Sequence, residues 1–277
     1  MRWFCSFKAY GDLVIACSFL RNIDSSLNGL LAGSNLRPLL NALEYDGIVR
    51  IIETDEEVPA FFDTKKCGYM SAVYNGFLLR KKIHESLHKR ADRLVFDMLG
   101  IRQRFLAWPY HCEAVCLGNG NIYLDYAHYL NLIEGFTNGI RNNSIKLGER
   151  VYVFPDSRIK AKELPDGLIN GIAEENIKCG KKTTLVKIGK PTNLLKHDSL
   201  HLQWVDGFDQ LIEQVRKADM IVSADSLPAH LAEYFGIPVF VFTPVPNDYW
   251  MPISSFKGGY FSGFNSLVRY KAWINQI

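Results

Sequence analysis

Short apolar runs alternate with helical patterns through the second half of the sequence. Five of these runs are continuous rather than alternating in polarity: RVYVFP (150–155), TTLVKIG (183–189), LHLQWV (200–205), MIVSA (220–224) and PVFVF (238–242). A continuous apolar strand is buried on both faces, as parallel sheets covered by helices on both sides require. Helical periodicity marks the segments 164–177, 208–218 and 228–236. This alternation predicts a doubly wound α/β fold, with 238–242 as its last strand.

The first half follows the same alternation less regularly. Its predicted elements are a strand over about Arg2 to Phe7, a tight turn at 10–12, a helix running to about Arg21, a helix at 36–45, a strand at 47–54 and one long helix over 71–100. A polar stretch at 139–150 separates the halves. The predicted fold class is therefore α/β with two Rossmann-like, doubly wound parallel-sheet lobes, residues 1–145 and 146–277.

Composition limits the class of protein. The chain has 277 residues, 22% charged residues and a formal net charge of +3, so neither disorder nor nucleic-acid binding is indicated. Its longest apolar runs, at 13–20 and 237–242, fall short of the about 20 residues that span a bilayer. Six scattered cysteines without a preceding signal peptide predict a reduced, cytoplasmic protein. His111, Cys112 and Cys116 lack a second ligand pair, so no zinc site is predicted.

Residues 78–94 form a basic helical pattern. Its cationic side chains are Arg80, Lys81, Lys82, Lys89, Arg90 and Arg93. Two interpretations remain open: a solvated helix face, or a surface that contacts anionic lipid or an acidic acceptor. The C-terminal segment 264–277 is amphipathic and is predicted to pack on the body of the protein.

Several chemically versatile residues follow the predicted strand at 220–224. In open α/β sheets, ligands bind beyond the carboxyl ends of strands, which is where Asp225 and Ser226 lie. Either residue could cap the next helix, and Pro228 is tolerated in a first helical turn. Free backbone N–H groups and the positive end of the helix dipole suit a phosphate. His230 could face the same ligand, although a capped helix with a half-buried histidine explains these residues equally well in isolation.

The segment ADMIVSADSLPAHLAEYFGIPVFVFTP (218–244) resembles the donor-site signature of family 9 glycosyltransferases, which include the lipopolysaccharide heptosyltransferases. That signature has Ala-Asp before a strand, then Asp-Ser/Thr-Gly-Pro-x-His and Leu-Ala, a short helix, Gly-x-Pro and a strand ending in proline. The matching residues here are Ala218, Asp219, Asp225, Ser226, Pro228, His230, Leu231, Ala232, Gly236, Pro238 and Pro244. Leu227 stands where the family has glycine, which implies a reshaped pocket, a different donor or weakened binding.

Two further segments resemble the same family, in the family's order. FKAYGDLVIACSFLR (7–21) is similar to its opening strand, Gly-Asp turn and helix, and the resemblance implies that Asp12 is the catalytic base. As a residue alone, Asp12 could simply cap the helix. VFPDSRIKAKELP (153–165) is similar to the family's phosphate-binding loop, so Lys162 would bind the diphosphate, with Ser157 and either Arg158 or Lys160 as helpers.

The resemblance implies the GT-B fold, with the acceptor on the first lobe and a nucleotide-diphosphate sugar on the second. It implies an inverting transfer of a heptose-type or other sugar to a lipid-linked or oligosaccharide acceptor of lipopolysaccharide or another cell-surface polysaccharide. Ser226 and Leu227 would line the donor site together with Asp225 and His230. Because no Asp-x-Asp triplet occurs, neither a metal nor another cofactor is expected. The enzyme would work in the cytoplasm, in peripheral contact with the inner membrane.

Two rival functions use the same scaffold. A nucleotide-sugar epimerase or hydrolase would turn over without an acceptor, and a non-catalytic nucleotide-sugar or glycan-binding protein would bind without turnover. A nicotinamide-dependent dehydrogenase is disfavoured, because Gly118 and Gly120 are followed by neither a third glycine nor a clear helix.

Overall fold

The structure is a computed structural model that describes residues 1–7, 9–53, 68–87, 92–132, 148–189 and 200–276. The chain divides into two compact units, Met1–Asn131 and Leu132–Ile277, and each contains one parallel sheet. The two predicted parallel sheets are therefore confirmed. The predicted boundary at 145/146 lies in 133–147, outside the described residues, and stays a prediction.

The first unit is built on a parallel sheet whose strands are β1 (Arg2–Ser6), β2 (Asn28–Gly33), β3 (Val49–Ile52), β4 (Arg93–Phe96) and β5 (His111–Ala114). Its described α-helices are α1 (Tyr10–Leu20), α2 (Arg37–Ala42), α3 (Tyr69–Ser86), α4 (Ile101–Ala107) and α5 (Ile122–Tyr129). The strands follow the order β3-β2-β1-β4-β5 across the sheet. The direction in which strands are added therefore reverses between β1 and β4.

Burial on both faces explains the apolar strands of this sheet. Every residue of β2 is buried, and Trp3 and Phe4, which point to opposite faces of β1, are each 1% exposed. The Phe4 ring stacks on Tyr126 of α5 with centroids 6.1 Å apart. Tyr126 also stacks on Phe19 of α1 at 5.2 Å. Helices α1 and α5 therefore cover one face of the sheet together.

The second unit contains the strands β6 (Arg150–Phe154), β7 (Lys182–Ile188), β8 (His201–Val205), β9 (Met220–Ala224), β10 (Val239–Phe242) and β11 (Phe261–Ser262). Its described α-helices are α6 (Asp166–Lys178), α7 (Phe208–Lys217), α8 (Leu227–Phe235), α9 (Ile253–Gly258) and α10 (Val268–Gln276). All neighbouring strands are parallel, in the order β11-β10-β9-β6-β7-β8. Here the direction of strand addition reverses between β6 and β9.

The C-terminal helix α10 completes the core of the second unit. Tyr270, Trp273 and Ile274 are at most 2% exposed and share one apolar cluster with Phe240 of β10. The Tyr270 hydroxyl donates a hydrogen bond to the buried Asn176 side chain of α6. The predicted packing of the amphipathic C-terminal segment is confirmed.

The long helix predicted over 71–100 is wrong in its second part. Helix α3 ends at Ser86, and Arg93–Phe96 form strand β4, which pairs with β1. Residues 88–91, which carry Lys89 and Arg90 of the basic pattern, lie outside the described residues. A four-residue strand is too short to show a period of two. The apolar residues of β4 therefore looked like a continuation of the helical pattern of α3.

Other boundaries also differ from the predictions. The sequence patterns do not indicate β2 or β5, and β11 follows β10, which is therefore not the last strand. The turn expected at 10–12 is the first turn of α1. Helix α5 begins at Ile122, so a helix does follow Gly118 and Gly120.

Candidate active site

The order of the strands locates a ligand-binding crevice in each sheet. In open α/β sheets, ligands bind beyond the carboxyl ends of the strands, at the point where the strand order reverses. In the second unit this point lies between β6 and β9, which pair in parallel with Phe154 opposite Ser223. The loops after these strands carry two of the three motifs identified in the sequence, and the structure brings them together.

Lys162 and Asp225 form the central contact of these two loops. The Lys162 Nζ atom lies 2.6 Å from Asp225 Oδ2, and the two side chains are 31% and 9% exposed. Lys162 ends a 3₁₀ turn over Lys160–Lys162, and the loop is closed where the Leu164 N–H donates to the Pro155 carbonyl at 2.9 Å. Leu164 is buried in the core beneath the loop. The loop therefore holds Lys162 against Asp225, just before the helix that follows β9.

His230 lies in α8 beside this ion pair and is 7% exposed. Burial lowers the pKa of its imidazole to about 4; the Asp225 carboxylate opposes this shift, and the Lys162 ammonium adds to it. His230 is therefore neutral near pH 7, and a neutral imidazole can donate one hydrogen bond and accept another. Helix α8 ends as predicted at Gly236, which adopts the left-handed conformation with φ of 69°.

The start of α8 has backbone N–H groups without an acceptor among the described residues, as the sequence predicted, but it lacks the predicted side-chain cap. Ser226 is the N-cap residue, yet no side chain caps the helix, so the predicted capping by Ser226 or Asp225 is wrong. The Ser226 hydroxyl instead donates to the Asp156 carbonyl at 3.1 Å, and Asp225 is engaged by Lys162. Among the described residues, the backbone N–H groups of Ser226 and Leu227 have no hydrogen-bond acceptor. These donors, at the positive end of the helix dipole, suit an anion.

Leu227 is the first residue of α8 and is half-buried. It is not among the residues with positive φ, so this position does not require glycine for its backbone conformation. The replacement of the family's glycine therefore acts through the volume of the side chain next to the helix amides, not through backbone strain.

The predicted helper residues lie in the loop after β6 but make few contacts. The Ser157 hydroxyl accepts a hydrogen bond from the Ile159 N–H at 3.3 Å, which shapes the loop. Arg158 and Lys160 are both exposed, and neither side chain forms an ion pair within the described ranges. The sequence left both residues as candidates for facing a ligand, and both stay candidates.

A second ion pair in this crevice has no counterpart in the sequence prediction. Asp156 Oδ1 lies 2.7 Å from the Lys187 Nζ atom, and Asp156 Oδ2 accepts from the Ile188 N–H at 2.7 Å. Asp156 thereby ties the loop after β6 to the end of β7, while its carbonyl accepts from Ser226. The sequence signal was an aspartate directly after a predicted strand, but its lysine partner becomes evident only from the pairing of β6 with β7.

Asp12, the predicted base, lies in the first turn of α1, directly after β1. The N-cap of this helix is Ala9, and Asp12 is its third residue, so the alternative in which Asp12 serves as the N-cap is wrong. An acidic residue in a first turn interacts favourably with the helix dipole. Asp12 lies near the reversal point of the first sheet, between β1 and β4.

Asp97, which the sequence reasoning missed, lies near the same reversal point on the other side. It directly follows β4, and its Oδ1 atom accepts a hydrogen bond from the Tyr126 hydroxyl at 2.7 Å. Burial raises the pKa of the Asp97 carboxyl to about 6, although the Tyr126 hydrogen bond lowers it in part. Burial raises the pKa of the Tyr126 hydroxyl, and the charges of Asp97 and Asp12 raise it further, so both carboxylates lie within electrostatic reach of it. Recognition of 93–96 as a strand would have revealed Asp97 at a strand end.

Two features of the described residues bear on other classes of protein. No helix in the described ranges is long and apolar enough to cross a membrane. Within the same ranges, no group of three or more histidine, cysteine, aspartate or glutamate side chains is arranged to hold a metal ion. His111 and Cys112 lie on strand β5.

Comparison with known proteins gives matches by structure alone. No protein-family model and no curated protein matches the sequence. The structure of E. coli heptosyltransferase WaaC with ADP-2-deoxy-2-fluoro heptose has a TM-score of 0.62 at 12% identity, covering 100% of this chain and 99% of that chain. A glycosyl transferase of family 9 from Veillonella parvula DSM 2008 has a TM-score of 0.60 at 12% identity, covering 99% and 95%. E. coli ADP-heptose lps heptosyltransferase II has a TM-score of 0.52 at 15% identity, covering 100% and 99%.

The TM-scores of 0.52 to 0.62 establish a likeness of fold, which extends over nearly the full length of these three chains, and identities of 12 to 15% limit the conclusion to the fold. Two parallel α/β sheets of five and six strands agree with it. The resemblance drawn from three short motifs is thereby confirmed at the level of the whole fold. The chain has the GT-B fold of the family 9 glycosyltransferases.

Proposed function

We propose that this protein is an inverting, metal-independent glycosyltransferase that moves a sugar from a nucleotide-diphosphate sugar to a lipopolysaccharide or other cell-surface polysaccharide acceptor. The observation that carries the proposal is the cluster of Lys162, Asp225 and His230 at the reversal point of the second sheet, in a chain with the fold of the family 9 glycosyltransferases. Lys162 comes from the loop after β6, whereas Asp225 and His230 come from the loop and the helix after β9. In open α/β sheets this is the usual position of a ligand.

The donor site is assigned to the second unit. A departing nucleoside diphosphate needs compensation of its negative charge. Lys162, which is 31% exposed, supplies an ammonium group, and the Ser226 and Leu227 N–H groups supply donors at the start of α8. Asp225 and the neutral His230 would bind hydroxyl groups of the donor. Because E. coli WaaC was solved with ADP and with an ADP-heptose analogue, ADP-linked sugars are the first donors to test.

Asp12 is assigned the role of general base in the first unit. As the acceptor hydroxyl attacks the anomeric carbon of the donor sugar, Asp12 takes its proton, and the bond to the diphosphate breaks on the opposite face. This single displacement inverts the anomeric configuration. The absence of an Asp-x-Asp triplet in the sequence supports charge compensation by Lys162 and the helix amides in place of a metal ion.

Contact with the inner membrane is assigned to the α3–α4 surface, defined by exposed or half-buried side chains of these two packed helices and of Trp108, which directly follows α4. Its apolar members include Tyr74, Phe77, Ile101 and Trp108, which are 63%, 53%, 88% and 66% exposed. Its cationic members are Arg80, Lys81, Lys82, Arg102 and Arg104, whereas Glu85 is the sole acidic residue of the two helices. Exposed aromatic and basic side chains on one surface suit an anionic lipid interface. This is the second of the two interpretations left open for the basic segment.

A second candidate function rests on Leu227. A half-buried leucine beside the helix amides occupies volume that a glycine would leave to a phosphate, which favours a nucleotide-sugar-binding or glycan-binding protein without turnover. Under this alternative, Leu227→Gly would raise affinity for ADP while no variant transfers sugar. An epimerase or hydrolase would instead consume the donor without an acceptor.

The deciding experiment supplies the purified protein with ADP-, UDP- and GDP-sugars and de-acylated rough-type lipopolysaccharide oligosaccharides, in EDTA, and measures sugar transfer by mass spectrometry. Acceptor-dependent transfer that is lost in Lys162→Ala and kept in Lys182→Ala is the expected result. Lys182 provides the matched control, because it is an 81% exposed lysine of the same unit. It is the first residue of β7 and so lies at the end of the sheet away from the crevice. Binding without transfer would support the second candidate, and the absence of both would contradict the proposal.

A further inference from the structure

The two sheets carry an aspartate at equivalent positions. In each sheet the strand order reverses beside the unit's first strand, β1 or β6, and the strand across the reversal point is β4 or β9. Asp97 directly follows β4, and Asp225 directly follows β9. Asp225 belongs to the proposed donor site, whereas Asp97 has no role in the mechanism above. Its position therefore points to a ligand on the first unit.

The side chain of Asp97 is held on one side only. Tyr126 donates to Oδ1 at 2.7 Å, and among the described residues it is the one hydrogen-bond donor to this carboxylate. Asp225, by contrast, is paired with Lys162. Asp97 is half-buried as a residue, and no described residue donates a hydrogen bond to its second oxygen. A carboxylate oxygen in this setting accepts hydrogen bonds from hydroxyl groups.

Tyr126 fixes the direction of that carboxylate. Its side chain is 2% exposed, and its ring stacks on Phe19 with centroids 5.2 Å apart and planes 13° apart. The same ring stacks on Phe4 at 6.1 Å. Because the ring is fixed, the Tyr126 hydroxyl stays beside Asp97 Oδ1 and holds the carboxylate in one orientation. Asp97 is therefore preorganised for a ligand.

We propose that Asp97 binds a hydroxyl group of the sugar acceptor and that Tyr126 is the positioning residue for its carboxylate. This inference rests on the proposed function and deepens it, because it names a group that holds the acceptor while Asp12 takes the proton. The acceptor class it implies is a saccharide with a free hydroxyl next to, or at, the reacting position.

Among the described residues, the titratable groups that interact with Asp97 are Tyr126 of α5 and Cys5 of β1, where burial and the Asp97 charge raise the pKa of the thiol. Asp12 of α1 interacts with Tyr126. None of these three groups is cationic, and within the described ranges no cation pairs with the Asp97 carboxylate. With a pKa of about 6, Asp97 is ionised above this pH and protonated below it. Acceptor binding is therefore expected to weaken as pH falls through about 6.

The test compares Asp97→Asn, Tyr126→Phe and Tyr129→Phe in transfer assays with de-acylated rough-type lipopolysaccharide oligosaccharides as acceptor. Tyr129 is the matched control, because it lies on the same helix and donates to the carboxylate of Glu113 on the edge strand β5. Asp97→Asn should raise the acceptor KM about 10- to 100-fold, as expected for loss of a hydrogen bond to a charged group, and leave the donor KM within about 2-fold.

Tyr126→Phe provides a second readout that a purely structural role would not move. The Tyr126 hydrogen bond lowers the pKa of Asp97, so its removal should raise the pH below which the acceptor KM begins to increase. Tyr129→Phe should leave this pH unchanged.

Three outcomes would overturn the inference. An unchanged acceptor KM in Asp97→Asn would refute it while the proposed function stands. An equal loss of donor and acceptor affinity with a lowered melting temperature would assign Asp97 a structural role instead. Absence of transfer by the unmodified protein with every donor would refute the proposed function and the inference together.

Discussion

Replacing Lys162 with alanine should weaken nucleotide binding by two separable effects. Lys162 Nζ lies 2.6 Å from Asp225 Oδ2, and Asp225 is 9% exposed. The substitution removes the ammonium group that would bind the diphosphate. It also leaves the Asp225 carboxylate without its cation, so that this charge repels the same diphosphate.

The two effects can be given rough sizes. A hydrogen bond to a charged group contributes about 1.5 to 3 kcal/mol. Two like charges about 6 Å apart repel by about 3 kcal/mol at an effective dielectric constant of about 20, and solvent and salt around a partly exposed site reduce this to about 1 kcal/mol. The sum predicts a loss of affinity of about 100- to 1,000-fold in Lys162→Ala. Adding Asp225→Asn removes the repulsion and should recover about 5- to 10-fold.

The assay is calorimetric titration of the unmodified protein and the variants with ADP in EDTA. ADP is used without a sugar so that contacts of Asp225 with the sugar do not enter the comparison. Lys182→Ala serves as the control, because Lys182 is 81% exposed in the same unit. Unchanged affinity in Lys162→Ala, or a further loss on adding Asp225→Asn, would refute the reasoning.

Three further predictions concern pH, stability and membranes. Burial lowers the pKa of His230 to about 4 in the folded state, so its contribution to the free energy of unfolding is full above about pH 6.5 and falls by about 2 to 3 kcal/mol as pH drops through about 4. His230→Gln should therefore make the melting temperature less dependent on pH over this range. An unchanged pH dependence of the melting temperature would contradict a buried, neutral His230. Trp273→Ala should cost about 3 to 5 kcal/mol of unfolding free energy in urea titrations, since Trp273 is 2% exposed in the core, and a cost below about 1 kcal/mol would show that α10 does not support that core. Phe77→Ser and Lys81→Glu should each reduce sedimentation with phosphatidylglycerol vesicles, whereas Lys182→Glu should not; equal sedimentation of all variants would remove the α3–α4 surface from membrane contact.

The second half of the chain could be predicted well because its local signals agree with its fold. The strands β6 to β10 are continuous apolar runs with polar loops, and the helix α8 ends at a glycine. These parallel strands have four to seven residues, and their apolar character identified them in the sequence. The motif residues Lys162, Asp225 and His230 come together because the loops after β6 and β9 meet at the reversal point.

The first half was harder for physical reasons. Strand β4 has four residues beside a long helix, and β5 has one apolar alanine and a cysteine among polar residues, so neither shows a clear period. Asp97 was therefore assigned to a helix and its pairing with Tyr126 could not be foreseen. The Asp156–Lys187 pair was missed for another reason, because it depends on which strands are neighbours in the sheet. Strand neighbours are set by long-range packing that no local pattern contains.

The proposed role of Asp12 as the base of an acceptor-dependent sugar transfer is best tested by the rate of transfer by Asp12→Asn. With saturating donor and acceptor, kcat should fall about 100- to 10,000-fold, as for loss of a general base, while ADP affinity stays within about 2-fold of that of the unmodified protein. Asp24→Asn is the matched control, since Asp24 follows the same helix and binds the Ser26 N–H. Undiminished transfer by Asp12→Asn would contradict the account.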